Sequence, residues 1–477
     1  MMRKKGSVTV FLTLILSLLL SLICASIESV RMASARTQIL NGMDIGLYSL
    51  FGQYDKELLT DYDLFALDGS RGGGQLNLAA VCDELEAYMN PVLKQNSQKL
   101  TLCQSGLTGY RLLTDQNGEA FYQQIVGYMQ ETLGSQGIQL LLGRMSERQE
   151  KTAQADQSAN QAQSKGSIDR YDSEMNQASE KSQQAAEEAQ VVPQAPPAKN
   201  PITIMKRIMK RGVLELVLPG GNGLSTKAIE KGTLVSGRGL QQGLEMPDGM
   251  TTENGYTSEV LFQQYLMEHL GSYAEPSSAG LAYQMEYIFG GKDSDEDNLK
   301  AVASKLLFIR EGVNFACLMA DNVKRSEAQA LATAIASGFL VPPAAVIIEA
   351  ALILCWAFAE SVLDVRELFA GGRIPLVKSS ADWQISLGNL PDLMEGLDSM
   401  RRNDEKGMSY KDYLQVLVLT VSKEKKVMRA MNMIENTIRE KGRRNFCMDS
   451  CIVALEAFAD VKANKKKDFQ VIRQYFY

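Results

Sequence analysis

His269 is the only histidine in the chain, and that bounds the chemistry available to it. A zinc or iron site built on two imidazoles cannot be assembled. A Ser-His-Asp relay would have to use His269, in Met267-Glu268-His269-Leu270, where no local motif supplies its partners. A structural or surface role is therefore expected for it. The seven cysteines, at positions 24, 82, 103, 317, 355, 447 and 451, include no C-x-x-C pair and are too sparse for a disulfide scaffold. Cys447 and Cys451 lie one turn apart if their segment is helical, which reads as two small apolar residues on one face.

Other clusters fail on spacing. Asp293-Ser294-Asp295-Glu296-Asp297 could offer oxygens to calcium. An EF-hand loop begun at Asp293 would need glycine sixth and glutamate twelfth, and those places hold Asn298 and Ser304. Capping and the helix dipole account for the acids instead. Gly220-Gly221-Asn222-Gly223-Leu224-Ser225-Thr226-Lys227 has the composition of a phosphate loop, but the lysine follows the hydroxyl residues and the spacing is wrong. Ser236-Gly237-Arg238-Gly239 reads as a flexible turn. There is no G-x-S-x-G and no H-E-x-x-H, and no pair among the 56 acids stands out by its spacing. No catalytic, cofactor-binding or metal-binding residue is expected, nor an enzyme. The net charge of −6 makes no case for nucleic acid as a partner.

What remains is the amino-terminal segment. Arg3, Lys4, Lys5 and Gly6 form a short basic leader, and Ser7–Ala25 follows as 19 uncharged residues rich in Leu, Ile and Val. A run of that length suits a transmembrane helix, and the basic cluster orients it with the amino terminus in the cytoplasm. Three processing readings compete, and two meet an obstacle: the apolar run is long for a signal peptide, and Ile23 is bulkier than the small residue usual before a lipoprotein cysteine. A signal-peptide cut would fall at Cys24-Ala25-Ser26, a lipoprotein would be built on Cys24, and a prepilin-type cut would fall between Gly6 and Ser7.

Lys4-Lys5-Gly6-Ser7-Val8-Thr9-Val10-Phe11, the apolar run and Ser26-Ile27-Glu28-Ser29-Val30-Arg31 together resemble the amino-terminal helix of TadE- and TadG-like minor pseudopilins. Those belong to tight-adherence (Flp-type) pilus systems. Tyr62-Asp63-Leu64-Phe65-Ala66-Leu67-Asp68-Gly69, Tyr287-Ile288-Phe289-Gly290-Gly291-Lys292, Ile309-Arg310-Glu311-Gly312 and Trp356-Ala357-Phe358-Ala359-Glu360-Ser361 extend the likeness. Over the whole chain it is similar to an uncharacterised clostridial family associated with such loci. The pseudopilin resemblance implies processing by a prepilin peptidase at Gly6 and Ser7, with Val10, Phe11 and Glu28 on the anchor helix. It also implies, as partners, the cytoplasmic membrane and other pilus or pseudopilin subunits. Such helices usually carry a glutamate at the fifth position after the cut. Here that position is Phe11, and Glu28 lies too deep to replace it.

The elements that would position these segments can be read from periodicity. The basic leader is 1–6 and the anchor helix 7–58, with Gly42 and Gly46 weakening its far end. A first extracytoplasmic α+β part covers 59–145. Within it, Tyr62–Asp68 alternates like a strand, Leu78–Leu93 and Glu119–Leu142 read as helices, and Thr108–Thr114 reads as a strand. From Ser146 the chain turns to Gln, Ala, Ser, Glu and Lys, without a leucine-type a/d pattern. Residues 146–200 are expected as a polar stalk, partly helical or disordered, ending in the extended connector Val191–Pro197.

A second, mainly helical part covers 201–477. In it Ile202, Met205 and Ile208 alternate with cations on a short helix that covers a core. Ser294 with Asp297, Ser326 with Gln329, and Ser409 with Asp412 read as capping boxes. Leu299, Val302, Leu306, Ile309 and Val313 form one apolar stripe, with Lys300, Lys305 and Arg310 away from its centre. Strands are expected within Arg373–Ser386. Gly338–Ala359 is long and apolar enough to suggest a second span. Pro342-Pro343 inside it, and Glu349 near its middle, favour a buried helical hairpin, with Glu349 and Glu360 on one stripe that reaches water.

The expected fold class is thus α+β and helix-rich: a transmembrane pilin-like helix, then an extracytoplasmic domain with a polar insert. The expected function is a membrane-anchored, extracytoplasmic structural or assembly component of a tight-adherence type pilus. A surface-anchored interaction module unrelated to pili is the alternative, and a membrane-anchored enzyme of unknown activity comes third.

Overall fold

The structure is a computed structural model. It describes residues 5–95, 100–165, 200–218, 223–244, 255–338, 344–379, 382–393, 407–463 and 467–477, with Met246 and isolated positions in 171–180. Helix dominates, with a small amount of strand. The chain divides into two compact units. The first comprises 1–128, 233–253 and 438–477, and the second 129–232 and 254–437.

The first unit is built on helix α1, Lys5–Phe51, 47 residues and so about 70 Å long. The helix stops at Phe51, short of the expected 58, and the separate α2 (Lys56–Tyr62) begins after it and takes the first residue of the expected Tyr62–Asp68 strand. Asp55 decides this locally: its carboxylate caps α2 by accepting from the Glu57 and Leu58 amides. Only Leu67–Asp68 remains extended, as β1. Helix α3 (Leu78–Lys94) lies where its periodicity placed it and turns Val81, Leu85, Met89 and Leu93 inward. Strand β2, Leu100–Leu112, starts earlier than expected. It pairs antiparallel with β5 (Cys451–Ala463), and β5 pairs antiparallel with β6 (Lys467–Phe476). Ile452 pairs with both Leu112 and Leu67, so β5 is central, with β2 on one edge and β1 followed by β6 on the other.

One face of this sheet is covered by α1 and α3. Ala35, Ile39, Met43, Leu47 and Leu50 of α1 meet the α3 stripe and Leu455, Ala457, Ala459 and Val461 of β5 in one core. Gly46 does not weaken the helix. A β-carbon there would come within 2.6 Å of Met89 Cγ, so the glycine is what lets α3 approach. Tyr477 donates its hydroxyl to the Phe51 carbonyl at 2.5 Å, and the Phe51 and Tyr475 rings pack at 4.7 Å. The end of β6 is thereby fastened to the end of α1.

The second unit is helical. Helix α4, Asp115–Lys165, begins in the first unit and continues into this one, reaching 20 residues into the stretch expected as a polar stalk. Residues beyond 165 in that stretch lie largely outside the described ones. Met145, Thr152, Ala155 and Ala159 are buried, at helical spacing. Ala159 rests on Gly312, and Asp156 accepts from Lys305 at 2.7 Å. The second helix-lined stretch holds α5 (Pro201–Met209), α6 (Val213–Val217), α7 (Tyr256–His269) and α8 (Gln284–Gly290). Helix α5 buries Ile202, Met205 and Ile208 and packs on α11 (Ala345–Phe369).

Helix α9 (Asp295–Ala320) starts at the Ser294 cap and buries Leu299, Val302, Leu306, Ile309 and Val313. Arg310 is not on its outer side: it is fully buried. Helix α10 runs Asn322–Gly338 and starts at Asp321, which accepts from the Val323 and Lys324 amides. Ser326 therefore lies inside the helix and bonds back to the Asn322 carbonyl. Helices α10 and α11 pack together, and 78% of the most apolar window of α11 is buried. Pro342-Pro343 lies outside the described residues. The expected water-facing stripe is absent from α11, because Glu360 is fully buried and Glu349 approaches Arg325 at 3.9 Å.

Of the strands expected in Arg373–Ser386, only β3 (Arg373–Ile374) forms among the described residues. It pairs with β4 (Met408–Ser409). Trp383–Ile385 is instead held by the Trp356 indole, which donates to the Ile385 carbonyl at 2.7 Å. The Ser409–Asp412 capping box forms as expected and opens α12 (Tyr410–Leu419), followed by α13 (Lys423–Glu440).

Candidate functional site

The most apolar exposed surface among the described residues is on the first half of α1. From Val8 to Ile27 every large apolar side chain is exposed, including Val10 at 59% and Phe11 at 62%. Burial begins only at Ala35. Twenty helical residues span about 30 Å, the thickness of a bilayer's hydrocarbon core. The polar side chains in this half do not spoil its apolar surface. Thr13, Ser17 and Ser21 each donate to the carbonyl three residues back, at 2.8–2.9 Å. Backbone acceptors thereby satisfy hydroxyls that lipid could not. Gly6 and Ser7 lie in the first turn of α1, and Glu28 is exposed just past the apolar run. Gly6, Ser7, Val10, Phe11 and Glu28 are thus carried on one continuous helix whose other half is part of the first unit's core.

In the second unit the ionisable groups are placed differently. Arg310 on α9 donates through Nε and Nη2 to Asp364 Oδ2 on α11, at 3.0 and 2.8 Å. Its Nη1 donates to the Pro375 and Leu376 carbonyls and to the Tyr413 hydroxyl. Lys378 Nζ donates to Asp364 Oδ1 and to Glu360 Oε1, both at 2.5 Å. Glu360 Oε2 accepts from the Ile385 amide at 3.0 Å, and Asn314 donates to both Ser361 and Asp364. Two cations and two carboxylates, all fully or almost fully buried, thus balance in charge. Burial by itself would raise the Asp364 carboxyl. Arg310 and then Lys378 overturn that and hold it below the ordinary carboxylate range. Every charge here is engaged with another part of the fold, so the cluster fastens α9, α11 and the 375–385 loop rather than presenting a reactive group.

Sequence reasoning missed this cluster. The residues come from three distant segments, and Arg310 looked peripheral because only its apolar neighbours were counted. A signal did exist: Glu360 and Asp364, one turn apart in a strongly apolar helix, required cations from elsewhere.

The remaining sequence features are built into the fold. His269 ends α7 and stacks on Tyr265 with ring centroids 4.1 Å apart. Asp295 is buried and accepts from Ser225, Ala282 and Tyr283, so it fixes loops beyond its capping role. Lys227 donates to the Ser278 and Gly280 carbonyls. Arg238 is not in an idle turn: it pairs with the buried Asp449 at 2.6 Å. Cys447 and Cys451 flank a single 3-10 turn leading into β5 and do not share a helix face. No group of three potential metal ligands occurs among the described residues.

No curated protein and no solved structure matches the chain. A family model does, over residues 193–463, which is more than half of the chain and includes the buried ionic cluster, most of the second unit and strand β5. On that match the chain belongs to the DUF5702 family, a family of unknown function.

Proposed function

We propose that this protein is a pseudopilin-like structural or assembly component of a tight-adherence type pilus. It is anchored in the cytoplasmic membrane by a single pass of α1, with its amino terminus cytoplasmic and both units outside. The observation that carries this reading is the division of α1. One uninterrupted helix is bare and apolar over Val8–Ile27 and then forms the core of a sheet-backed unit from Ala35 onward. A subunit built this way can pack laterally in the membrane through the bare half while the outer units set spacing or meet partners. Compact Thr13, Ser17 and Ser21 permit close helix approach. The leader residues Arg3, Lys4 and Lys5 favour the proposed orientation.

Three measurements test it. Mass spectrometry of the membrane-bound protein should find a mature amino terminus at Ser7. An intact Met1, or a start near Ile27, would sink the prepilin-type processing. An enzyme reporter fused after Tyr477 should behave as extracytoplasmic, because α11 is occupied in the second unit's core. A cytoplasmic signal from a stable full-length fusion would mean two spans. Deleting the gene should abolish or shorten the pili. Pili of normal number and length would leave an anchored interaction module with no pilus role.

A further inference from the structure

We propose that Glu286 is a proton-operated lock: the folded second unit holds it as the neutral acid, and its ionisation loosens α8 from α12 and from the loop before α8.

The geometry is asymmetric. Glu286 lies in the first turn of α8 and is 0% exposed. Its Oε1 accepts from the Tyr410 hydroxyl of α12 at 2.5 Å and from the Tyr273 amide at 2.8 Å. Its Oε2 has no protein partner among the described residues. Among the described residues, no cation pairs with the carboxyl to offset its charge. The titratable groups around it are Tyr410 from α12, Tyr273 and the nearby Tyr283 from the preceding loop, and Asp295 from α9. Cations near α8 are engaged elsewhere. Arg429 of α13 donates to the Ile288 and Phe289 carbonyls, Lys231 to the Gly291 carbonyl, and Lys411 pairs with Glu275. Asp295 gives the contrast, since it is equally buried yet takes three donors.

Ionising a carboxyl in this position leaves a buried charge half-compensated. Burial pushes the Glu286 carboxyl up to about 7. The Tyr410 hydroxyl, the Tyr273 amide and Glu286's own amide pull it partway back, and Asp295 repels the charge further. A folded-state value above the ordinary 4.5 means that stability is full below pH 4.5, falls as pH rises to about 7, and is level above that. The equilibrium constant for local opening would rise by up to about 300-fold across that window. The Tyr273, Phe369 and Tyr410 rings, with centroids 5.0–6.0 Å apart, gather where Glu286 is bonded, so opening would uncover an aromatic cluster.

Glu311 on α9 is also pushed up to about 7 by burial, so a global unfolding profile would mix the two acids. Local hydrogen exchange separates them. The full-length protein in detergent micelles would be followed by mass spectrometry from pH 4.5 to 8, with rates corrected for intrinsic exchange. Peptides covering 284–290 and 410–419 should lose protection as pH rises in the wild type and in Glu311→Gln, and stay level in Glu286→Gln. Tyr410→Phe removes a donor to the ionised carboxylate, so its midpoint should move to higher pH. A level wild-type profile overturns the lock, as does an unchanged slope in Glu286→Gln. Should Glu286→Gln fail to fold, an unmoved midpoint in Tyr410→Phe overturns it alone.

Discussion

Replacing Asp364 with alanine is expected to destabilise the second unit by about 3–5 kcal/mol. The change removes the shared acceptor of Arg310 and Lys378 and leaves both cations buried, with Glu360 alone to offset them. Asp364→Asn should cost less, because an amide oxygen can still accept while the charge is lost. The chain's two tryptophans, Trp356 and Trp383, both lie in the second unit, and Trp356 is buried beside the cluster. Tryptophan fluorescence during urea unfolding therefore reports on this unit without interference from the first. An Asp364→Ala transition within 1 kcal/mol of wild type, by the ordinary size of surface substitutions, would show that the cluster is not structural. The pH dependence has a definite sign. The Asp364 carboxyl is held below its ordinary 3.8, so its contribution is present above that pH and is lost as pH falls further.

The second large effect is expected from Gly312→Ala. A β-carbon at 312 would stand 2.2 Å from Ala159 Cα and 2.3 Å from its amide nitrogen. Those are backbone atoms, so no rotamer change relieves the clash and α4 must move away from α9. Overpacking costs about 1–3 kcal/mol when a core can adjust, and more when the obstacle is backbone. The displaced segment carries Lys151 and Arg148, so trypsin should cut within 146–165 much faster in the variant. Equal cleavage rates in variant and wild type would mean that this part of α4 does not pack against α9 in solution.

That second result bears on what could be read from the residues alone. Long apolar stripes were legible: Leu299 to Val313, Leu78 to Leu93 and Ile202 to Ile208 appear as buried helix faces because burying Leu, Ile, Val and Met outweighs local detail. The polar 146–165 segment was not, because the residues it buries are Thr152, Ala155 and Ala159, whose small side chains offer little apolar surface. Such a stripe becomes an interface only when a glycine faces it, and Gly312 lies more than 150 positions away. Caps were legible where two residues act together, as at Ser409 and Asp412. They misled where a better cap lay just upstream, as Asp321 does for Ser326. For α1, length and apolarity were plain in the sequence. So was its continuation past Gly42 and Gly46; what was not is why glycine is wanted there, which only the α3 side chains explain.

The central place of β5 has a consequence for how the protein is made. Among the described residues, each of the other three strands of the first unit pairs with β5, yet β5 leaves the ribosome some 340 residues after β2 ends. Until then β1 and β2 have only the isolated bridges Tyr54–Leu67 and Tyr110–Leu244, and the apolar faces of α1 and α3 lack the sheet that covers them. The second unit, inserted between them in the chain, can fold first. The chain would thus spend most of its synthesis with its amino-terminal unit incomplete, dependent on holdases and open to proteases. Any truncation that removes Cys451–Ala463 should be degraded from its amino-terminal side, even though nothing there has been altered.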